Sequence, residues 1–207
     1  MLSRGREVGR GKISSRGGII LKARKTARSR GDLRERARRI RLLLLDVDGV
    51  LTDGRIIYGS AGLEALVFHV RDGLALKSAQ ASGITVGLLS GRKSEALVRR
   101  AEELGLTEVH AGVEDKGGVY RQLLTRYRLS DPEVAYMGDD LPDLPLLQRA
   151  GLAITVADAP AEVRRVADLV TSLPGGRGAV REAVEWLLKS QGVWDQVCAD
   201  FQSNRNL

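Results

Sequence analysis

The sequence predicts an α/β fold: a doubly wound parallel sheet with helices on both faces and a β-hairpin flap after the first strand. Two observations carry that reading. From Arg41 onward, short apolar runs alternate with helical segments, the pattern of a parallel sheet covered on both sides. In addition, the polar clusters Asp46/Asp48, Ser90, Lys116 and Asp139/Asp140/Asp143 fall directly after predicted strands or at a helix start. The carboxyl ends of the strands form the ligand crevice in open sheets of this kind, so segments far apart in sequence converge on one edge.

Each element has its own signal. Residues 42–47 read as a strand, an uninterrupted leucine run that ends in acid at Asp46. Residues 55–58 and 63–70 are rich in β-formers, and Gly59-Ser60-Ala61-Gly62 between them reads as a hairpin connection. A helix over about 72–81 stops at Gly83, followed by a strand over 84–89 and a helix over 94–104 that ends at Gly105. A short strand near Val109, a helix over 117–127 and a strand over 134–137 come next. A short helix over 144–150 leads to a strand over 152–156. In residues 178–189, Val180, Val184, Leu187 and Leu188 share one face of an amphipathic helix.

Charge divides the chain. Of 33 basic and 26 acidic residues, 15 and 3 lie within residues 1–41, so the remainder carries −5 although the whole is +7. The expected organisation is a basic, disordered extension over 1–40, one domain over 41–195 and a C-terminal tail over 196–207. An Arg-rich, acid-poor organelle transit peptide is also compatible with the extension, whereas a secretory signal is excluded by the missing apolar core. Nucleic acid is not an expected partner, because the arm lacks interleaved aromatics. No apolar run approaches the roughly 18 residues that span a bilayer, so no membrane partner is expected either. The single cysteine, Cys198, excludes an internal disulfide and a multi-cysteine metal site. It fits a reducing compartment, and the cytoplasm is the expected location.

The strongest chemical signal is Leu45-Asp46-Val47-Asp48-Gly49-Val50-Leu51-Thr52-Asp53-Gly54. A carboxylate at the end of a buried strand, Asp46, can act as a covalent nucleophile. Asp48, two residues on, lies on the same side of an extended chain, placed to protonate a leaving oxygen and then deprotonate water. Two anions beside a dianionic phosphate need a hard cation, for which Mg²⁺ suits carboxylate and phosphate oxygen. Ser90 can offer hydroxyl and backbone donors to a phosphoryl oxygen. Lys116 can offset the charge on Asp46, and Gly138-Asp139-Asp140-Leu141-Pro142-Asp143 supplies a further hard oxygen ligand. Taken singly, Ser90 also reads as a helix cap, Lys116 as a surface charge and Asp143 as a residue favouring a helix N-terminus. Their order and shared placement after strands are what those readings leave unexplained.

The sequence resembles the haloacid dehalogenase superfamily, whose four motifs stand in order as Asp46-Val47-Asp48-Gly49-Val50, Ser90, Lys116 and Gly138-Asp139-Asp140 with Asp143. Asp48, absent from the dehalogenases, favours a phosphatase. Over roughly residues 41–195 the chain is similar to the 3-deoxy-D-manno-octulosonate 8-phosphate phosphatase group, through Phe68-His69-Val70-Arg71-Asp72-Gly73, Gly138-Asp139-Asp140-Leu141 and Gly175-Gly176-Arg177-Gly178-Ala179-Val180-Arg181-Glu182. The resemblance implies a Rossmann-like core and hydrolysis of that ester through an aspartyl-phosphate. It implies Mg²⁺ held by the Asp46 and Asp139 side chains and the Asp48 carbonyl. Substrate contacts are implied for Asp48, His69, Val70, Arg71, Asp72, Gly73, Lys77, Arg92, Arg100, Lys116 and Arg177. The intervals between Asp48, Ser90 and Lys116 are too short to house a cap domain, so the site is capless. The family's answer to an open site is a homotetramer whose hairpins, here with Ile56, Leu66 and Phe68, associate centrally. Arg177 then reaches a neighbouring site. A nine-carbon sugar acid 9-phosphate is the alternative substrate. A receiver-like regulatory module is the alternative class, but it has no need of Asp48.

Overall fold

The computed structural model describes residues 20–21, 30–60 and 64–203. In chain order its elements begin with β1 (Ile20–Leu21), α1 (Arg30–Arg38), β2 (Leu42–Leu45), β3 (Ile57–Tyr58), β4 (Glu64–Ala65) and α2 (Val70–Ala81). Next come β5 (Thr85–Ser90), α3 (Glu95–Leu104), β6 (Glu108–Ala111), α4 (Lys116–Tyr127) and β7 (Val134–Met137). The chain continues through α5 (Leu144–Arg149), β8 (Leu152–Thr155), α6 (Ala161–Val166), β9 (Leu169–Val170), α7 (Ala179–Gln191) and α8 (Trp194–Gln202).

The main sheet runs β1-β9-β8-β7-β2-β5-β6, parallel throughout except for β1, which pairs antiparallel with β9. Four consecutive buried leucines suit β2 to its interior place between β7 and β5, as a strand covered on both faces requires. The chain passes from β2 to β5 on one side and later returns to β7 on the other. The crevice at that reversal of strand order collects the ends of β2, β5 and β7.

Helix ends follow local chemistry. Ser94 caps α3 by accepting from the Leu97 N–H at 3.4 Å, and Gly105 ends it in the left-handed conformation. Asp115 caps α4 by accepting from the Gly118 N–H at 2.8 Å, which sets Lys116 as the first helical residue. The predicted face of α7 is buried: Val180, Val184, Leu187 and Leu188 all lie in the core.

Three boundaries differ from expectation. Residues 30–40 belong to the folded body, because α1 buries Leu33 and Ala37 and the following Ile40 is buried too. Arg36 fixes this helix by donating to Asp168 at 2.6 and 3.0 Å and to the Gly151 carbonyl. Among the described residues the hairpin is shorter than expected, with β3 and β4 pairing Ile57 to Ala65 and Tyr58 to Glu64. Residues 66–69 leave the ladder, and α2 already begins at Val70, where Asp72 in its first turn favours a helix N-terminus. At the far end, residues 194–202 form α8 instead of a plain tail. Residues 1–19 and 22–29, together most of the expected extension, lie outside the described residues, as do Ala61 and Gly62 of the hairpin connection, Leu63 at the start of the expected second hairpin strand, and 204–207 of the expected tail.

Candidate active site

Asp46 directly follows β2, and its backbone N–H donates to the Met137 carbonyl of β7 at 2.8 Å. The chain then turns: the N–H groups of Val50, Leu51 and Thr52 all converge on the Val47 carbonyl. The buried Thr52 hydroxyl tightens the turn by accepting from Gly49 and Gly54 N–H groups at 3.4 and 3.2 Å. Gly49 has φ +84°, and a Cβ there would run into the Asp139 carboxylate. Glycine at that position both permits the backbone and keeps Asp139 facing Asp46.

The charges meet in a cleft of about 680 Å³ whose lining includes Asp46, Asp48, Arg92, Lys116, Asp139 and Asp140. Lys116 Nζ stands 3.0 Å from Asp46 Oδ2 and 2.8 Å from Asp143 Oδ1. The lysine's burial is outweighed by these two carboxylates, which hold its pKa above the ordinary value. Burial, reinforced by Asp143, pushes Asp46 up to about 7 despite Lys116. Burial, with Asp46 and then Asp143, pushes Asp139 up to about 7 as well.

Asp46, Asp139 and Asp143 each offer an oxygen within 4.8 Å of the others. They are not equivalent. Asp143 Oδ1 accepts from Lys116 and from the Tyr136 hydroxyl at 2.6 Å, while Oδ2 accepts from the Asp139 and Asp140 N–H groups at 3.0 and 3.3 Å. Its oxygens are therefore committed to holding the loop and the lysine. Asp139 Oδ1, by contrast, is buried with no partner among the described residues. A buried, unpartnered carboxylate oxygen beside a second carboxylate of raised pKa fits a hard divalent cation. Asp139 therefore carries the open oxygen; Asp46 lies within reach of it, although its Oδ1 accepts from the Val47 N–H at 2.7 Å and its Oδ2 meets Lys116 at 3.0 Å, and the two side chains together could hold one.

Asp48 also lines the cleft, with Oδ2 3.5 Å from Arg92 Nε and Oδ1 buried without a partner among the described residues. Arg92 Nη2 donates to Glu64 Oε2 at 2.8 Å, so the guanidinium ties β4 to the site. Ser90 stands at the end of β5, but its hydroxyl donates to the Arg92 carbonyl and accepts from the Arg92 N–H, both at 3.1 Å. It shapes the Ser90-Gly91-Arg92 turn, and Gly91 and Arg92 line the cleft.

The remaining expected substrate contacts do not line this cleft. His69 precedes α2 as its N-cap, and Val70 is 80% exposed. Arg71 is exposed in the first turn of α2, and Gly73 packs against the Arg100 guanidinium. Arg100 pairs with Glu103 at 3.0 Å and lies 6.0 Å from the Phe68 ring. Lys77 lines a separate groove with Val197 and Phe201 of α8. Asp72 is 1% exposed and accepts backbone N–H groups from the start of α7. Arg177 is largely exposed, 3.8 Å from Asp53. Sequence reasoning missed Tyr136, Thr52 and Glu64. Only Tyr136 carried a signal, a hydroxyl two residues before Gly138 in a strand otherwise apolar.

A carboxylate at a strand end 3.0 Å from a lysine, a second carboxylate in the same cleft and an acidic pair able to hold a cation, all at the carboxyl edge of a parallel sheet, could serve phosphoryl transfer through an aspartate. Residues 107–180 match a family model described as haloacid dehalogenase-like hydrolase. The 3-deoxy-D-manno-octulosonate 8-phosphate phosphatase of Escherichia coli K12 is 43% identical over 165 residues, covering 80% of this chain and 88% of that protein. The corresponding protein of Yersinia pestis is 42% identical over 160 residues, covering 77% and 86%. The crystal structure of the Moraxella catarrhalis phosphatase of that name, in complex with magnesium ion, phosphate ion and KDO, is 40% identical. It superposes with a TM-score of 0.81 over 84% of this chain and 99% of that one. A cobalt-bound structure of the Haemophilus influenzae phosphatase is 39% identical, with a TM-score of 0.74 over 77% and 93%. The chain belongs to the 3-deoxy-D-manno-octulosonate 8-phosphate phosphatase family of haloacid dehalogenase-like hydrolases.

Proposed function

We propose that this chain is a Mg²⁺-dependent phosphomonoesterase that converts 3-deoxy-D-manno-octulosonate 8-phosphate to the free sugar acid and phosphate. The observation that carries the reading is the Asp46–Lys116 contact at 3.0 Å, facing Asp48 and Asp139 in one cleft. A carboxylate of Asp46 attacks phosphorus and forms an aspartyl-phosphate, while Asp48 gives a proton to the departing sugar oxygen. Asp48 then takes a proton from water as the water attacks phosphorus, releasing phosphate and restoring Asp46. Lys116, fixed by Asp143, offsets charge on Asp46 and on the phosphoryl oxygens throughout. Asp46 and Asp139, with the Asp48 carbonyl implied by resemblance, would hold Mg²⁺, which would supply further charge neutralisation when bound.

The named relatives act on the eight-carbon ester, which favours it over the nine-carbon alternative. Phosphate release from the two esters side by side tests the choice: a higher kcat/KM on the nine-carbon ester would replace the first substrate with the second.

The chain's working state in this reading is a homotetramer in the cytoplasm. Ile56, Ile57 and Tyr58 on the flap, Val67 before α2 and Val70 and Leu74 within it are exposed side chains, a surface suited to association, whereas Leu66 is half-buried and Phe68 packs against the core. In such an assembly the resemblance has the loop around Arg177, which is largely exposed, reach a neighbour's open cleft. Light scattering of the purified chain tests it; a monomer with full turnover on the sugar-acid ester would contradict it. No described helix is long and apolar enough to cross a membrane.

A further inference from the structure

We propose that Asp72 is a positioning residue that holds the nucleophile turn in place from outside the cleft, and does so without touching substrate. This deepens the phosphatase reading above and rests on it.

Asp72 belongs to the first turn of α2, yet its carboxylate serves another helix. Oδ1 accepts the Arg181 N–H at 2.7 Å and Oδ2 the Gly178 N–H at 3.3 Å, so both oxygens close the free N-terminus of α7. The Arg181 guanidinium is turned away, 3.2 Å from Glu185 and stacked 4.8 Å from the Trp194 ring, so Asp72 is bound through backbone and not as a side-chain ion pair. A carboxylate that is 1% exposed, with both oxygens taken, has no face left for a ligand in this chain.

What Asp72 fixes leads to the reacting residues. Gly178 closes the Gly175-Gly176-Arg177-Gly178 loop, which lies directly on the Asp46–Asp53 turn. The Gly176 N–H donates to the Val50 carbonyl at 3.0 Å, and a Cβ on Gly175 would run into the Gly49 carbonyl. Gly49 in turn leaves no room for a Cβ against Asp139. A continuous set of close contacts thus runs from Asp72 through the α7 start and the glycine loop to Gly49 and Asp139. Loss of the Asp72 clamp frees the glycine loop to lift, and the turn carrying Asp46 and Asp48 loses its backing.

The test compares Asp72→Asn with the parent enzyme on the octulosonate 8-phosphate and on p-nitrophenyl phosphate, a small ester with no sugar acid. The Mg²⁺ concentration for half-activation is measured for each. The expected result is a fall in kcat of roughly tenfold on both esters, within the about 10²-fold that misplacement by an ångström can cost. Half-activation by Mg²⁺ moves to higher concentration, and KM changes less than threefold. Gly175→Ala, acting at the other end of the relay, is expected to reproduce that pattern. A raised KM confined to the sugar-acid ester would make Asp72 a substrate contact and overturn the proposal. A lowered thermal midpoint with kcat, KM and Mg²⁺ half-activation all unchanged would overturn it too, leaving only a structural role. If the parent enzyme hydrolyses neither ester, the phosphatase reading itself fails, a result distinct from either.

Discussion

Lys116 donates to Asp143 at 2.8 Å, and the same carboxylate oxygen receives the Tyr136 hydroxyl at 2.6 Å. That shared acceptor keeps the lysine from wandering while leaving it 3.0 Å from Asp46. A charge that need not reorganise during reaction is worth more than one that must be gathered from solvent.

Replacing the lysine therefore costs turnover more than binding. For Lys116→Ala we expect kcat to fall by about 10²–10³, the usual effect of deleting one aimed electrostatic group. Steady-state kinetics with saturating Mg²⁺ measure it. An unchanged kcat would show that Lys116 serves only to neutralise buried acids.

Asp48 is assigned the proton transfers and a buried, unpartnered oxygen. Asp48→Asn keeps shape and removes the transferable proton, so turnover is expected to fall by about 10²–10⁴. The loss should be smaller for an ester with a good leaving group, because protonating the departing oxygen then matters less. Rates on p-nitrophenyl phosphate and on the sugar-acid ester provide the comparison; equal losses would argue against the acid role.

Metal and pH are linked through the acidic pair. Without metal, burial and neighbouring carboxylates raise Asp46 and Asp139 from 3.8 to about 7. The folded chain then holds protons that the unfolded chain has lost. Their stabilising contribution is full below about pH 4 and declines as pH rises to about 7. With Asp46 and Asp139 as the proposed ligands, Mg²⁺ would bind their ionised forms, so its stabilisation should grow from pH 5 to pH 7.5. Thermal unfolding with and without Mg²⁺ tests this in the parent and in Asp139→Asn, where both the slope and the Mg²⁺ effect should shrink. An Mg²⁺ effect equal in the two proteins would place the cation elsewhere.

The fold of residues 30–40 makes its own prediction. Asp168 is 2% exposed and satisfies both Arg36 and the Ala153 N–H. Removing one partner of such a buried pair is costly, so Asp168→Ala should lose about 3 kcal/mol of stability. A chain beginning at Arg41 should fare worse, because it also strips Leu33, Ala37 and Ile40 from the core. Denaturant unfolding measures both; a truncated chain of parental stability would return the boundary to residue 41.

What could be read from residues alone followed from how local each cause was. The sheet was legible because buried parallel strands such as Leu42–Leu45 and Val134–Met137 are continuous apolar runs. Asp46, Asp48, Lys116 and Asp139 were legible because strand ends converge whatever the intervening chain does. Helix α1 was obscured by its arginines, although Leu33, Ala37 and Ile40 stand at helical spacing. The partners of Asp72 and Asp143 were beyond reach for a different reason. Gly178 and Arg181 meet Asp72 across more than a hundred residues, and no periodicity reports which oxygen an N–H will find. Short strands such as β9 (Leu169–Val170) gave too few residues to separate from loop.

The central claim is hydrolysis at Asp46, and phosphate release from 3-deoxy-D-manno-octulosonate 8-phosphate tests it most directly. The parent chain with Mg²⁺ should release phosphate at a rate that EDTA abolishes and re-added Mg²⁺ restores, while Asp46→Asn with Mg²⁺ releases none above background. Release that persists in Asp46→Asn, or that ignores EDTA, would contradict the account.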